Sequence, residues 1–246
     1  MHGQPDSHYQ NELLAALTGE ELQRIAPHLK KVELRQGEVL HEADSPPNYV
    51  FFLEEGAAAL SVTSPEGIDL SLSIVGNEST VGERAIFREG SFIIQCQMLT
   101  HGSGYKIQPD IFKDEFERGG TLHDFVIGRL ETRLTETAQT ALCSHAHSIE
   151  QRLSRWLLNL ADRLKSEQLP LTQDSIANML GVHRPGVTLA AISLQDAGYI
   201  SYTRGLITIE NRKGLENLTC ECYEVIKQAV QLNTKVNSVV RKIKFS

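Results

Sequence analysis

The residues whose types and spacing point most clearly to chemistry lie at positions 171–209. Thr172 can cap a helix that ends at Gly181, because a hydroxyl accepts first-turn amides and glycine tolerates the left-handed conformation of a helix end. A second helix begins three residues later near Arg184, and Pro185 fits its first turn, where no intrahelical hydrogen bond is lost. The pattern predicts two helices joined by a tight turn.

A short hairpin follows this pair of helices. Residues 199–202 and 206–209 have strand-forming side chains and are joined through Arg204 and Gly205. Helix, turn, helix and hairpin is the order of a winged helix-turn-helix, whose second helix enters the DNA major groove. Arg184, in the first turn of that helix, can donate two hydrogen bonds to guanine. The predicted DNA-binding residues are Thr172, Gln173, His183, Arg184, Pro185, Gly186, Thr188, Leu189 and Arg204.

The charge distribution agrees with two domains that have different partners. Residues 1–150 hold 11 Lys or Arg against 23 Asp or Glu, whereas residues 151–246 hold 13 against 8. A basic C-terminal part suits a polyanion. Within the two helices, however, Arg184 stands against Asp174 and Asp196, so a winged helix that binds only proteins stays open as the alternative.

The elements ahead of this segment are mainly strands. From residue 32 to residue 107, short apolar runs are separated by Gly and Pro turns, which is typical of an antiparallel barrel or sandwich. Strict alternation predicts two half-buried strands, with these inward residues: Ile68, Leu70, Leu72, Ile74, and Phe92, Ile94, Cys96, Met98. A short helix with Thr18 as its N-cap is predicted before them.

A long helix is predicted between the strands and the helix-turn-helix. Its narrow apolar face repeats at steps of three and four residues, which favours a coiled-coil dimer over packing within the chain. The predicted dimer residues are Ile127, Leu130, Leu134, Thr137 and Ala141. Ser148 and Gln151 have capping-box spacing and mark the start of the next helix.

Together these motifs resemble the CRP/FNR family of bacterial transcription regulators over residues 10–225. The matching segments are Gly37-Glu38-Val39-Leu40, Tyr49–Gly56, Gly82-Glu83, Leu171–Asp174 and Met179–Arg184. The resemblance implies an α+β fold: an N-terminal antiparallel β-roll of the cyclic-nucleotide-binding type at 1–108, a long dimerisation helix and hinge at 109–147, and a C-terminal winged helix-turn-helix at 148–246. It also implies a homodimer on a two-fold symmetric double-stranded DNA site, with a small-molecule effector and RNA polymerase as further partners.

The effector site departs from that of cyclic-AMP-binding members. In those members an arginine followed by serine or threonine holds the phosphate, but residues 90–94 contain no arginine and the loop is shortened. Arg84 and Arg88 are poor substitutes, and a buried phosphate needs a cationic partner. We therefore expect no cyclic AMP binding. The expected effector pocket comprises Gly82, Glu83, Arg84, Phe92 and Ile94.

Other cofactors of the resembled family are also not expected. Its oxygen-sensing branch uses an N-terminal cysteine cluster for an iron–sulfur centre, and residues 1–95 contain no cysteine. His41 is a candidate haem ligand, but an ordinary core or surface histidine is favoured. No cofactor is predicted.

The second helix of the helix-turn-helix departs as well. Members that bind the best-known operator have a glutamate after the arginine and a second arginine about four residues later. Pro185 and Leu189 (or Thr188) stand at those positions here. Leu189 can contact a thymine methyl, so the preferred operator should differ.

Two groups of possible metal ligands receive no metal assignment from the sequence. Cys220 and Cys222 would point in different directions on one helix, so structural thiols are favoured over a redox or metal role. His145 and His147 precede the Ser148 cap, where a solvated linker is favoured over a pH-sensitive or metal-sensitive joint.

The sequence as a whole predicts a cytoplasmic DNA-binding regulator that is not an enzyme. No membrane-length apolar run or signal peptide is found, and no phosphate loop or nucleophile motif occurs. Two alternatives stay open. One is a cupin-like metal-dependent enzyme barrel, although its His-x-His strand pattern is missing; the other is a regulator controlled by a protein partner, with a vestigial β-roll.

Overall fold

A computed structural model of the chain describes residues 9–65, 67–87 and 92–232. Arg88, Gly90 and Ser91, which entered the expectation about cyclic AMP, lie outside the described residues, as do the outer ends of the first and third expected domains. Within the described ranges, no helix is both long and apolar enough to cross a membrane.

Eight strands form two antiparallel sheets in the N-terminal part. The strands are β1 (Lys30–Leu34), β2 (Val39–His41), β3 (Val50–Glu55), β4 (Ala58–Thr63), β5 (Asp69–Val75), β6 (Thr80–Val81), β7 (Gln95–Met98) and β8 (Gly102–Ile107). One sheet has the order β1-β8-β3-β6 and the other β2-β7-β4-β5. The predicted antiparallel double-sheet architecture is confirmed.

Strand β5 is covered on both sides, whereas the sequence predicted a half-buried strand, and Ile68 lies just before it. Ile68, expected inside, is 51% exposed, whereas the polar Ser71 and Ser73 are buried. The reason is tertiary: Ser73 donates a hydrogen bond to Glu136 of the long helix, which covers the polar side of the strand. The expectation that only the apolar side would be inside was wrong here.

Two short helices replace the single N-terminal helix that was predicted. They are α1 (Glu12–Ala16) and α2 (Gly19–Ile25). Thr18 has an extended backbone between them and forms a capping box with Glu21. The same residue that was predicted to cap a helix therefore also prevents one continuous helix.

The remaining elements form the long helix and a C-terminal helical part. They are α3 (Pro109–Glu117), α4 (Thr121–Ala146), α5 (Ile149–Leu164), β9 (Gln168–Leu169), α6 (Gln173–Leu180), α7 (Arg184–Asp196), β10 (Ile200–Thr203), β11 (Leu206–Ile209) and α8 (Arg212–Leu218). A three-stranded sheet has the order β10-β11-β9. Residues 222–232 form a further helix. The predicted Ser148–Gln151 capping box is present at the start of α5.

Helix α5 is buried on nearly all sides. Its apolar residues, such as Trp156 and Leu157, share one core with the helix-turn-helix and with Ala57, Ala59 and Ile74 of the β-sandwich. The sequence pattern predicted a single buried face. Burial of the second face follows from contact with the N-terminal part, so the two parts share a hydrophobic core.

The other side of α5 holds a buried ionic junction. Arg163 Nε lies 2.9 Å from Glu78 Oε1, and its Nη2 lies 2.5 Å from Glu136 Oε1. All three side chains are at most 10% exposed. Burial raises the pKa of Glu136, which the nearby Arg163 opposes. The junction joins the β-sandwich, α4 and α5.

Candidate nucleic-acid interface and sensor cavity

The two helices of the predicted DNA-binding motif are built by local capping. The Thr172 hydroxyl accepts the Ser175 amide at 3.1 Å at the start of α6. Gly181 ends this helix with φ +61°, in the left-handed region. Helix α7 then starts at Arg184 with Pro185 in its first turn. The predicted helix, tight turn and helix are therefore present with their predicted caps.

The first turn of α7 presents an arginine to solvent. The Arg184 side chain is 63% exposed, and its Nε lies 3.2 Å from Asp174 Oδ1 on α6. An ion pair this exposed contributes at most about 1 kcal/mol, so the guanidinium can leave it for a base edge. His183, Pro185 and Leu189 are exposed beside it.

Other predicted residues of this surface position the helices. Thr188 donates a hydrogen bond to Gln173 Oε1 at 3.1 Å and so joins α7 to α6. Gly186 faces α5, because a Cβ there would lie 2.8 Å from Ile149 Cδ1. Gly186 therefore lies where α7 packs closely against the start of α5.

The hairpin tip lies next to the start of α6. Arg204 and Gly205 both have positive φ, +46° and +82°, as a two-residue hairpin turn requires. A Cβ on Gly205 would lie 3.9 Å from Thr172 Cγ2. The exposed Arg204 side chain thus extends the same surface as the first turns of α6 and α7.

The turn between α6 and α7 rests on the β-sandwich. A Cβ on Gly181 would lie 3.2 Å from the carbonyl oxygen of Asp69, which begins β5. A cleft here is lined by residues 67–69 on one side and by the α6–α7 turn, including Arg184, on the other. The N-terminal part therefore contacts the DNA-binding motif directly.

All five residues expected at the effector pocket line one cavity in the β-sandwich. These are Gly82, Glu83, Arg84, Phe92 and Ile94, and residues of β2, β7 and α4 complete the wall. Gly82 has φ +89°, and a Cβ there would lie 2.5 Å from the Tyr49 carbonyl oxygen, so only glycine fits.

The cavity wall combines aromatic and charged groups. The Arg84 guanidinium lies 4.5 Å from the centre of the Phe92 ring, a cation–π distance. His41 is buried, and neither ring nitrogen has a hydrogen-bond partner among the described residues. Burial lowers the pKa of His41, and the Arg84 charge lowers it further. His41 is therefore neutral at pH 7.

One wall residue of the cavity is paired with α4. Glu83 is buried and forms a salt bridge with Arg133 of α4. The same Arg133 reaches the Thr80 carbonyl oxygen at 3.3 Å. A ligand that contacts Glu83 would therefore touch a residue that is itself paired with the long helix.

The outward side of α4 is apolar. Ile127, Leu134 and Leu142 are 46%, 71% and 48% exposed, and Ala141 is also exposed. The inward side is apolar in the first two turns, where Leu122, Phe125 and Val126 are buried in the N-terminal core. Further along the helix it is polar, with these residues buried against the rest of the chain: Arg129, Thr132, Glu136 and Thr140. Of the five residues predicted for the dimer, Ile127, Leu134 and Ala141 are exposed and Thr137 is partly covered. Leu130 instead packs against the N-terminal core of its own chain and lines the cavity.

Sequence reasoning did not find two features of this region. Glu83 was expected at the pocket, but its partner Arg133 was not expected there. In the group Cys143, His147, Cys220 and Cys222, only the last two were considered together; His147 was paired with a neighbouring histidine and Cys143 was not considered. The residues of each group are far apart in sequence, and no local pattern connects them.

Two domain-family models match the chain. The cyclic nucleotide-binding domain matches residues 31–118, and the Crp-like helix-turn-helix domain matches residues 151–218. No curated protein sequence has a significant match to the chain.

Several solved structures have the same fold. A transcriptional regulator of the Crp/Fnr family from Eubacterium rectale is 21% identical, with a TM-score of 0.65 over 84% of this chain and 96% of its own. FixK2 from Bradyrhizobium japonicum is 17% identical, with a TM-score of 0.66 over 78% and 98%. The c-di-GMP-responsive regulator CLP from Xanthomonas campestris is 16% identical, with a TM-score of 0.63 over 78% and 99%.

Proposed function

Because the chain belongs to the CRP/FNR family of transcription regulators, with both domains of that family and its fold, we propose that it binds operator DNA as a homodimer. The three-part division at 1–108, 109–147 and 148–246 would then separate sensing, dimerisation and DNA binding. Regulators of this kind are not enzymes, and we propose regulation in place of the cupin-like activity considered from the sequence. Such a protein would act in the cytoplasm, at promoters and in contact with RNA polymerase.

The observation that most strongly supports DNA binding is the exposed first turn of α7. Arg184, Pro185 and Leu189 extend outward from a helix whose inner residues Val187 and Leu194 are fully buried. A rigid helix with a solvent-exposed arginine at its start suits the major groove, and Arg204 at the hairpin tip suits the flanking phosphates.

Dimerisation is supported by the outward side of α4. Three large apolar side chains exposed along one helix lose contact with water if a second copy covers them. Ile127 and Leu134 are seven residues apart, which is the heptad spacing of a coiled coil. Two-fold symmetry then places two α7 helices on half-sites about one DNA turn apart.

For the cavity we propose an effector other than cyclic AMP. Arg84 stacks on Phe92, and Arg133 is paired with Glu83, so both arginines already have electrostatic partners in the wall. A cyclic phosphate would have to displace one of these interactions at the cost of a buried charge. The protein should therefore bind DNA without added cyclic nucleotide.

Selection of duplexes from a random library tests this function. The full chain is incubated at moderate salt, with and without cyclic AMP, and the bound duplexes are sequenced. We expect a two-fold symmetric motif that is the same in both arms. An enriched motif without symmetry would contradict the dimer, and enrichment only with cyclic AMP would contradict the proposal for the cavity. No enrichment, with cell extract also added, would contradict DNA binding.

A further inference from the structure

Four potential metal ligands meet where α4 ends. Cys143 and His147 come from the last turn of α4 and the residue after it, whereas Cys220 and Cys222 follow α8. Their ligand atoms all lie within 4.8 Å of one another. Two of the distances are 3.5 Å, between the Sγ atoms of Cys143 and Cys220, and 3.7 Å, between Cys222 Sγ and His147 Nδ1.

Cys220 and Cys222 point to the same place because they do not share a helix. Cys220 lies before the first turn of the helix at 222–232, and Cys222 begins that helix. The sequence-based expectation that two residues at this spacing diverge assumed one regular helix, and it was wrong. All three thiols are at most 4% exposed, and the His147 side chain is 13% exposed.

The distances match a tetrahedral metal site. Zinc lies about 2.3 Å from cysteine sulfur and about 2.0–2.1 Å from histidine nitrogen, so the ligand atoms of a tetrahedral site are roughly 3.5–3.8 Å apart. The two distances of 3.5 Å and 3.7 Å fall in this range. The other pairs are within 4.8 Å and need only small side-chain rotations.

The surroundings supply what such a site needs. Glu221 Oε1 lies 3.3 Å from His147 Nε2, which leaves Nδ1 facing the sulfur atoms. A carboxylate on the outer nitrogen is the usual support of a metal-bound histidine. A hydrogen bond with Cys220 lowers the pKa of Cys143, and the charge of the buried Arg155 lowers it further. The Arg155 Nε has no hydrogen-bond partner in the described part of the chain. One arginine charge balances the single negative charge of three thiolates with one divalent cation.

We propose that Cys143, His147, Cys220 and Cys222 bind one thiophilic divalent cation, Zn²⁺, in a closed tetrahedral site. Three sulfur ligands and one nitrogen select zinc over oxygen-preferring ions such as Mg²⁺ or Ca²⁺. Four protein ligands leave no open position for substrate, so the site is structural. A Cys143–Cys220 disulfide is the competing arrangement, but it would not account for the position of Cys222 and His147 beside the same two sulfur atoms.

The site would hold the end of the long helix in contact with the DNA-binding part. Its two halves are 77 residues apart, one half at the end of α4 and the other after the winged helix. Bound zinc would hold these elements together at the turn between α4 and α5. Removal of zinc should therefore lower the thermal stability of the C-terminal part and loosen the position of α7 relative to α4.

Metal analysis of the full chain tests the site. The protein is expressed without a histidine tag, purified in reducing buffer and measured for zinc by elemental analysis and native mass spectrometry. We expect about one Zn²⁺ per chain. Replacement with Co²⁺ should give the strong visible absorption of tetrahedral cobalt with thiolate ligands. No zinc in the purified protein together with no cobalt spectrum would overturn the proposal, as would a Cys143–Cys220 disulfide in freshly purified protein.

Variants show which residues bind the metal. Cys220→Ser and Cys222→Ser should lose most of the zinc, while Cys96→Ser, a buried thiol in the β-sandwich, should keep it. If the serine variants fail to fold, Glu221→Gln provides the test, because this exposed side chain is not a ligand and the variant should still fold. Loss of the carboxylate beside His147 should weaken zinc binding roughly 10–100-fold. Unchanged zinc affinity in Glu221→Gln together with unchanged cobalt spectra in folded serine variants would place the metal elsewhere.

Discussion

At the scale of single residues, Arg184 and Asp174 show how a helix-turn-helix with little net charge can still present a positively charged group to DNA. The pair is exposed and therefore weak, and it holds the arginine on the outer side of α7 without burying it. The sequence shows that the two residues have opposite charges, but only the structure shows that their side chains are in contact.

Arg184→Ala should remove sequence preference and leave the dimer intact. A bidentate arginine–guanine contact discriminates by about 1–3 kcal/mol, or roughly 10–100-fold in affinity. Fluorescence anisotropy with the selected operator and a scrambled duplex measures this ratio. Asp174→Ala is the matched control: it breaks the same ion pair but keeps the arginine, so binding to both duplexes should tighten. Retained preference in Arg184→Ala would exclude this arginine from base recognition.

His41 should make stability depend on pH. Its pKa in the folded chain lies below the ordinary 6.5. Below about pH 6.5, His41 therefore binds a proton more readily in the unfolded chain than in the folded chain. Stability is therefore unaffected by this group above pH 6.5 and falls as the pH drops from there toward the folded pKa. Thermal unfolding between pH 7.5 and 5 should show a smaller loss in His41→Leu than in the unchanged protein. Parallel curves would disprove the assignment.

At the scale of elements, α4 has an unusual distribution of side chains. Between Arg129 and Thr140 its buried side is polar, while Ile127, Leu134 and Leu142 are exposed on the opposite side, which is unlike an ordinary surface helix. The polar side is paired within the chain, for example by Arg129 with Glu12 of α1 and by Glu136 with Arg163 of α5, and the exposed apolar side chains remain for the proposed dimer contact.

Leu134→Asp should convert the dimer to a monomer and abolish operator binding, because two carboxylates would be buried at the dimer seam. Leu189→Asp is a matched control on α7, since the two leucines are 71% and 70% exposed. It should stay dimeric and lose only DNA binding, by repulsion from phosphates. Light scattering and anisotropy separate the two outcomes, and a dimeric Leu134→Asp would move the interface elsewhere.

The junction at Arg163 should contribute strongly to stability. Arg163→Met would leave Glu78 and Glu136 buried without their cation, and breaking such a pair typically costs about 3–5 kcal/mol. Urea unfolding measures this loss. Arg184→Ala, which breaks an exposed pair, should change the same free energy by less than about 1 kcal/mol. A loss in Arg163→Met no larger than that would show that the carboxylates are solvated or protonated.

At the scale of the whole molecule, the cavity, the long helix and the DNA-binding motif are connected by two buried ion pairs and a shared hydrophobic core. Glu83 contacts Arg133 of α4, and Glu136 of α4 contacts Arg163 of α5. Helix α5 in turn packs against α7 in the shared core. A ligand that separates Glu83 from Arg133 would thus act on the helix that positions α5, which is a physical route for regulation.

The sequence by itself determined the features that depend on neighbours a few residues apart. Caps at Thr18, Ser148 and Thr172, the turn at Gly181 and the hairpin at Arg204 follow from local hydrogen bonding and backbone sterics, so the winged helix-turn-helix could be predicted. The alternation of apolar residues likewise predicted an antiparallel sandwich.

Only the tertiary structure decided which distant residues meet. Ser73 is buried beside Glu136, 63 positions away, and Cys143 lies beside Cys220, 77 positions away. The polarity of α4 and β5 was visible in the sequence, but a polar side chain becomes buried only when another element brings its partner. Periodicity records the environment of one element, whereas ion pairs and metal sites depend on how several elements pack.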